Sequence, residues 1–188
     1  TDIPGEKTRD PAFGLPALWV AEDKREEAEA AGFTVIDPPS IIATHLTEII
    51  KRHADEILGR QETQSILDTL KKEFPAVVED VLKHLSLGGI QKVLQALLRE
   101  QVSIRNTVAI LEALADYAPI SQNPDVLVEK ARQALARQIC LQYADEDRLL
   151  KVITIDPNLE QKIIESRVET AGGAIAALDS GLQRAWIR

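Results

Sequence analysis

Residues 91–118 read QKVLQALLREQVSIRNTVAILEALADYA, and they constrain the fold more than any other stretch. Val93, Leu94, Leu97 and Leu98 recur at helical spacing, and so do Val108, Leu111, Leu114 and Ala115. Between the two runs lies Val102-Ser103-Ile104. Ser103 is the predicted N-cap of the second helix, because its hydroxyl can accept a bond from that helix's free amides. Amphipathic helices joined by so short a link fold back or cross closely. Neither can bury its apolar face by itself, so the fold must supply further helices around the pair.

Composition supports a helical core. The chain has 188 residues, 45% hydrophobic and only 4% aromatic, so the core rests on Leu, Ile, Val and Ala. A length of this order accommodates one sizeable domain or two small ones. The single cysteine, Cys140, excludes an internal disulfide and suits a reducing compartment. A net charge of -8 argues against general nucleic-acid binding, which needs cations to displace phosphate counterions. No apolar run approaches the roughly 20 residues needed to span a bilayer, and no signal peptide is expected within these residues. The sequence lacks methionine, begins at Thr1 and stops in mid-pattern, so it reads as an excised piece of a longer protein.

In chain order, residues 1–9, polar and with Pro4 and Gly5, read as a loop or a tail. Asp10-Pro11-Ala12-Phe13-Gly14 is a turn sequence with an aromatic inside it. Residues 15–20 and 33–36 are predicted strands on either side of a Glu/Ala-rich helix that Gly32 closes, which makes an incomplete βαβ unit. Ser40 is the expected cap of a helix to about residue 58, with Ile42, Leu46, Ile49, Ile50, Ala54 and Ile57 as its buried stripe. A helix over 61–74 and another from Pro75 follow, the latter carrying Val77, Val78, Val81 and Leu82. Residues 86–89 read as a loop before the central pair. Asn123-Pro124-Asp125 is a strong start signal for a helix to about residue 143, with Cys140 on its apolar face. Residues 149–155, LLKVITI, are a predicted strand. Asp156-Pro157 opens a helix to about residue 168, and a Gly-containing loop follows over 170–174. The expected fold is mainly α with small α/β parts. A helical-bundle subdomain is flanked by the incomplete βαβ unit and by a truncated α/β subdomain.

No local spacing points to chemistry. His45 and His53 sit about two turns apart on one helix, too far to share a metal, and neither is in an HExxH spacing. One cysteine cannot make a zinc site, and Cys140 reads as a buried structural thiol. Gly88-Gly89 and Gly172-Gly173 lack the strand and Lys-Ser/Thr context of a phosphate loop. Asp145-Glu146-Asp147 reads as a solvated turn. No metal, cofactor or catalytic residue is expected, and the chain is not expected to be an enzyme. A helix-turn-helix reading of residues 91–118 is the competing function. It offers Arg105 and Asn106 to DNA, but Glu112 and Asp116 on the same helix would repel phosphate. Phe13 is either the anchor of its own loop or a partner-binding hot spot, and Thr44 reads on its own as a helix-start hydroxyl.

Several segments carry a resemblance. VLQALLREQVSIR and ILEALADYA, the run from Asp10 to Trp19, Ile42-Ala-Thr-His-Leu-Thr-Glu48, Leu58-Gly-Arg-Gln-Glu62 and Arg132-Gln-Ala-Leu-Ala-Arg-Gln-Ile139 occur in one order. In that order they resemble the FlhA family, also called FHIPEP, of flagellar and injectisome type III export gates. The likeness covers almost the whole chain. It implies a piece of a cytoplasmic region of four subdomains, held at the bacterial inner membrane by an N-terminal membrane region and assembled as a ring of nine copies. Residues 1–39 resemble the second half of the first subdomain, 40–118 the helical third and 123–188 the start of the α/β fourth. The family's docking depression for export chaperones loaded with flagellar cargo implicates Asp10, Phe13 and Thr44 here. The depression's other wall is not part of this sequence. The implied partners are those chaperones, other export-apparatus proteins and further copies of the chain, and not nucleic acid.

Overall fold

An aspartate or asparagine cap followed by proline starts helices at widely separated points of this chain, seen here in a computed structural model. Proline at the first helical position loses no hydrogen bond, because its amide would be unpaired there anyway. The structure describes residues 3–170 and 173–186. Residues 171 and 172 of the expected Gly-containing loop, with Gly172, lie outside the described residues, as do the last two of the chain. The chain divides into two compact units, Thr1–Ile57 and Leu58–Arg188.

In the first unit, β1 (Glu6–Arg9) pairs antiparallel with β2 (Pro16–Trp19), with Glu6 opposite Trp19 and Arg9 opposite Pro16. A Cβ on Gly5 would stand 2.6 Å from the Trp19 carbonyl oxygen, so only glycine lets the strands close at this end. A 3-10 turn, Glu22–Lys24, leads into α1 (Arg25–Ala30). Gly32 ends α1 at φ +87, the Gly32 amide donating to the Glu29 carbonyl and the Phe33 amide to that of Ala28. This is the Schellman closure that Gly32 promised. Residues 33–36 form no strand, so the predicted βαβ unit is replaced by a hairpin from which the helix simply departs. The polar EKTR sequence predicts a loop or tail where β1 forms; the hairpin is solvated and needs no apolar alternation.

Helix α2 (Pro38–Arg52) is capped by Asp37, not Ser40. The Asp37 carboxylate accepts from the Ser40 amide at 2.9 Å and from its hydroxyl at 2.7 Å. α3 (Ala54–Ile57) follows. α2 has no buried residue. Its predicted inward stripe faces solvent instead, with Ile42 67% and Leu46 54% exposed. The half-buried residues are Ile41, His45 and Glu48, about 120° around the helix from the stripe at 100° per residue.

The second unit is an all-helical core followed by thinner structure. Helices α4 (Arg60–Lys71), α5 (Pro75–His84), α6 (Leu87–Arg99), α7 (Thr107–Tyr117) and α8 (Pro124–Ala134) surround one apolar cluster. Ile90, Val93, Leu94, Leu97, Ile110, Leu111 and Leu114 are fully buried there. Each such side chain contributes about 1.5–3 kcal/mol relative to exposure. The central pair therefore has the neighbours its two apolar faces demanded. α6 starts earlier than predicted, at Leu87, because Ser86 caps it through the Gly89 amide at 3.2 Å. Gly88 and Gly89 are its first turn, where a Cβ on Gly88 would meet the Arg60 guanidinium at 2.6 Å and one on Gly89 the Leu85 side chain at 2.8 Å. α7 is capped by Asn106 rather than Ser103.

Polar side chains fasten the edges of this core. The buried Thr63 hydroxyl donates to the Gly59 carbonyl at 2.8 Å. The amides of Gln91 and Gln95 both reach the Leu58 carbonyl, at 3.2 and 3.0 Å. Lys130 lies 4.7 Å from the ring centre of Tyr117. The helix from Pro124, capped by Asn123 as its sequence announced, breaks at Leu135 and resumes as α9 (Ala136–Tyr143). Cys140 on α9 is exposed, not buried as predicted, and Leu82 of α5 is exposed as well.

Residues 149–155 form no strand, although their sequence is β-branched and apolar. α10 (Pro157–Glu165) opens on Asp156, whose carboxylate accepts from the Asn158 and Leu159 amides. It ends before an antiparallel hairpin of β3 (Arg167–Thr170) and β4 (Gly173–Ala176), and α11 (Ser180–Trp186) follows. Mainly α with small strand-containing parts describes the whole, but both small sheets are antiparallel hairpins.

Candidate docking surface

The turn joining β1 to β2 is built by Asp10. Its carboxylate Oδ1 accepts from the Ala12 amide at 3.0 Å and from the Phe13 amide at 2.7 Å. Its backbone carbonyl accepts from the Gly14 amide, and its backbone amide donates to the Leu15 carbonyl, both at 2.8 Å. Gly14 takes φ +69, a conformation glycine adopts without steric cost. The Arg9 guanidinium donates to the Gly14 carbonyl at 2.8 Å and ties the strand end to the turn. Asp10 therefore acts on the loop itself, and Phe13 is what the loop presents. The Phe13 ring is 61% exposed, so it does not anchor its own turn in a core. Leu15 and Trp19, at 61% and 47%, extend apolar surface along the same hairpin. The sequence signal for those two is the run from Asp10 to Trp19, within which the turn sequence and the resemblance point only to Asp10 and Phe13.

Thr44 lies in the second turn of α2, not the first, and is exposed. It belongs to the same compact unit as the Asp10 turn. Among the described residues, no hydrogen bond links Thr44 to Asp10 or Phe13. At 100° per residue it stands about 175° around α2 from the centre of the stripe of Ile42, Leu46, Ile49 and Ile50. Thr44 shares its flank with Thr47, Glu48 and Lys51, where Lys51 pairs with Glu48 at 2.8 Å and the Thr47 hydroxyl donates to the Ala43 carbonyl. α2 thus offers an apolar side and a polar side, and Thr44 is on the polar one.

The other candidates do not assemble. His53 Nδ1 pairs with Glu56 at 2.9 Å in solvent. His45 is half-buried, with its Nδ1 enclosed and without a hydrogen-bond partner. Among the described residues, no group of three or more His, Cys, Asp and Glu is placed to hold a metal ion. Arg105 and Asn106 stand at the start of α7, but α7 buries Thr107, Ile110, Leu111, Ala113, Leu114 and Ala115. A recognition helix must lay a free face in the groove; this one packs against α5 and α8, and the side it leaves exposed carries Glu112 and Asp116, which would repel phosphate. Among the described residues, no helix is long and apolar enough to cross a membrane.

The FHIPEP family model matches residues 1–188, the entire chain. The chain belongs to the FHIPEP family. Among curated FHIPEP relatives, the flagellar biosynthesis protein FlhA of Borreliella burgdorferi is 54% identical over 185 residues, which is 98% of this chain and 26% of that protein. The chain spans about a quarter of the length of the curated relatives it matches. Among solved structures it is similar to the Chlamydia pneumoniae CdsV protein, with a TM-score of 0.76 at 27% identity over 99% of this chain and 54% of that one. That protein has also been solved in complex with CdsO. The chain is similar as well to nonameric EPEC SctV-C, with a TM-score of 0.64 at 27% identity, covering 89% of this chain and 52% of that one. FHIPEP membership thus rests on sequence and fold together.

Proposed function

We propose that this chain is part of the cytoplasmic ring of a flagellar type III export gate, and that it docks export chaperones carrying cargo without making or breaking any bond. The observation that carries the docking role is the Asp10 turn. Its carboxylate and backbone are spent on holding a loop whose aromatic is left in solvent. A preformed loop with an exposed aromatic binds with little ordering cost, and aromatics of this kind dominate interface energies. Phe13 supplies apolar area, Thr44 a hydroxyl that orients the partner, and Asp10 the shape of the loop. The FlhA names of the sequence relatives support the flagellar assignment. The nonameric state of SctV-C and the CdsV–CdsO complex support a ring of copies that meets other export proteins. In this reading the longer protein is held in the bacterial inner membrane by a segment beyond this chain, with these residues on the cytoplasmic side.

The test is calorimetry of a cargo-loaded export chaperone against the complete cytoplasmic region of the longer protein. Phe13→Ala is expected to weaken binding about tenfold or more, the effect of removing a hot-spot aromatic. Unchanged affinity would remove Phe13 from the site.

A further inference from the structure

Helices α8 and α9 are nearly continuous in sequence, yet they are held by different forces. α8 buries Leu127, Val128 and Ala131, and Leu135 at the break is 1% exposed. α9 buries no residue; only Ile139 packs in part against the core. Two glutamine amides take over. Gln138 Nε2 donates to the Ser103 carbonyl at 2.8 Å, and Gln142 Nε2 donates to the Gln101 carbonyl at 3.1 Å. They are a helical turn apart, so they share one face of α9. Both reach the connection between α6 and α7, where Gln101 takes φ +61, an unusual conformation for a side-chain-bearing residue.

At the break, the Leu135 amide is shared between the Ala131 and Arg132 carbonyls, at 3.0 and 3.1 Å, which tightens the last turn of α8. α8 itself is pinned a second time by Arg132, which pairs with Glu100 at 3.2 Å. Downstream of α9, residues 149–155 are exposed and form no helix or strand.

We propose that α9 is a releasable arm that pivots at Leu135, its docked angle set by Gln138 and Gln142 on the α6–α7 connection. Apolar burial resists separation in proportion to area, whereas exposed amide–carbonyl bonds exchange readily with water. The buried Leu135 side chain keeps the pivot on the core while everything from Ala136 onward moves. The arm does not depend on the docking role proposed above.

The chain's only cysteine, Cys140, sits exposed on the arm and provides the probe. Spin labels on Cys140 and on Glu112→Cys of α7 report the arm-to-core distance in the full 188-residue chain. The parent chain should give one narrow distribution. In Gln138→Ala/Gln142→Ala, the population outside that peak should rise roughly tenfold or more, with the melting temperature of the core almost unchanged. Alanine preserves helix propensity, so α9 stays helical. A control, Leu141→Gln on the solvent side of α9, should leave the distribution narrow. An unchanged distribution in the double variant would overturn the proposal. So would a core that melts far lower, since arm and core would then be one cooperative piece.

Discussion

Helices α2 and α6 look alike in sequence and end in opposite circumstances. Both repeat apolar residues at helical spacing. α6 places Ile90, Val93, Leu94 and Leu97 at no measurable exposure, while α2 leaves Ile42, Leu46, Ile49 and Ile50 in water. Periodicity marks a stripe; it does not say what covers it. α6 has α4 and α8 against it, and its stripe is saturated. The half-buried residues of α2 are Ile41, His45 and Glu48, and its stripe is unspent.

Truncation is the strongest way to break this contrast. Leu94→Ala should cost about 3 kcal/mol in urea unfolding followed by circular dichroism, the usual range for a leucine deleted from a closed core. A cost below about 1 kcal/mol would mean that the α6 seam is as open as that of α2.

The start of α2 offers a second measurement. The Ser40 hydroxyl and amide bonds hold the Asp37 carboxyl below its ordinary 3.8. A lowered value means the cap is fully effective above the ordinary carboxylate range and is lost as pH falls through the lowered one. Acid titration of helical ellipticity should show α2 loosening in that window, and Asp37→Asn should flatten the response. α6 is capped by the neutral Ser86, so its own start should ignore the same titration. The smallest effect should come from Leu46→Gln, within about 0.5 kcal/mol of the parent because the site is already solvated. A loss comparable to that of Leu94→Ala would show the stripe to be buried in solution.

Local signals were the legible ones. Asn123-Pro124-Asp125, Asp156-Pro157 and Gly32 each set a helix end through bonds to residues two to four positions away, so the sequence announces them. The core followed from the apolar runs in residues 91–99 and 107–117, although α6 packs on α4 and α8, and α7 on α5 and α8, rather than chiefly on each other. What needed a distant partner was not legible. Residues 33–36 and 149–155 have strand composition, but a strand exists only where another edge accepts its hydrogen bonds. The break at Leu135 lies between alanines, among the best helix formers. Of the candidate surface, the turn could be read from Asp10-Pro11 and Gly14. The bonds of the Asp10 carboxylate to the amides two and three residues on are of the same local kind; that Phe13 would be left exposed depends on the absence of a core beside the turn, which no local rule gives.

Residues 149–155 have a practical corollary. Leu149, Val152 and Ile153 stand in water, Ile153 completely so, along a run with one charge and no proline. Such a run is a template for cross-β association. In concentrated samples of this polypeptide, precipitation should start there, and a lysine in place of Ile153 should act as a gatekeeper against it.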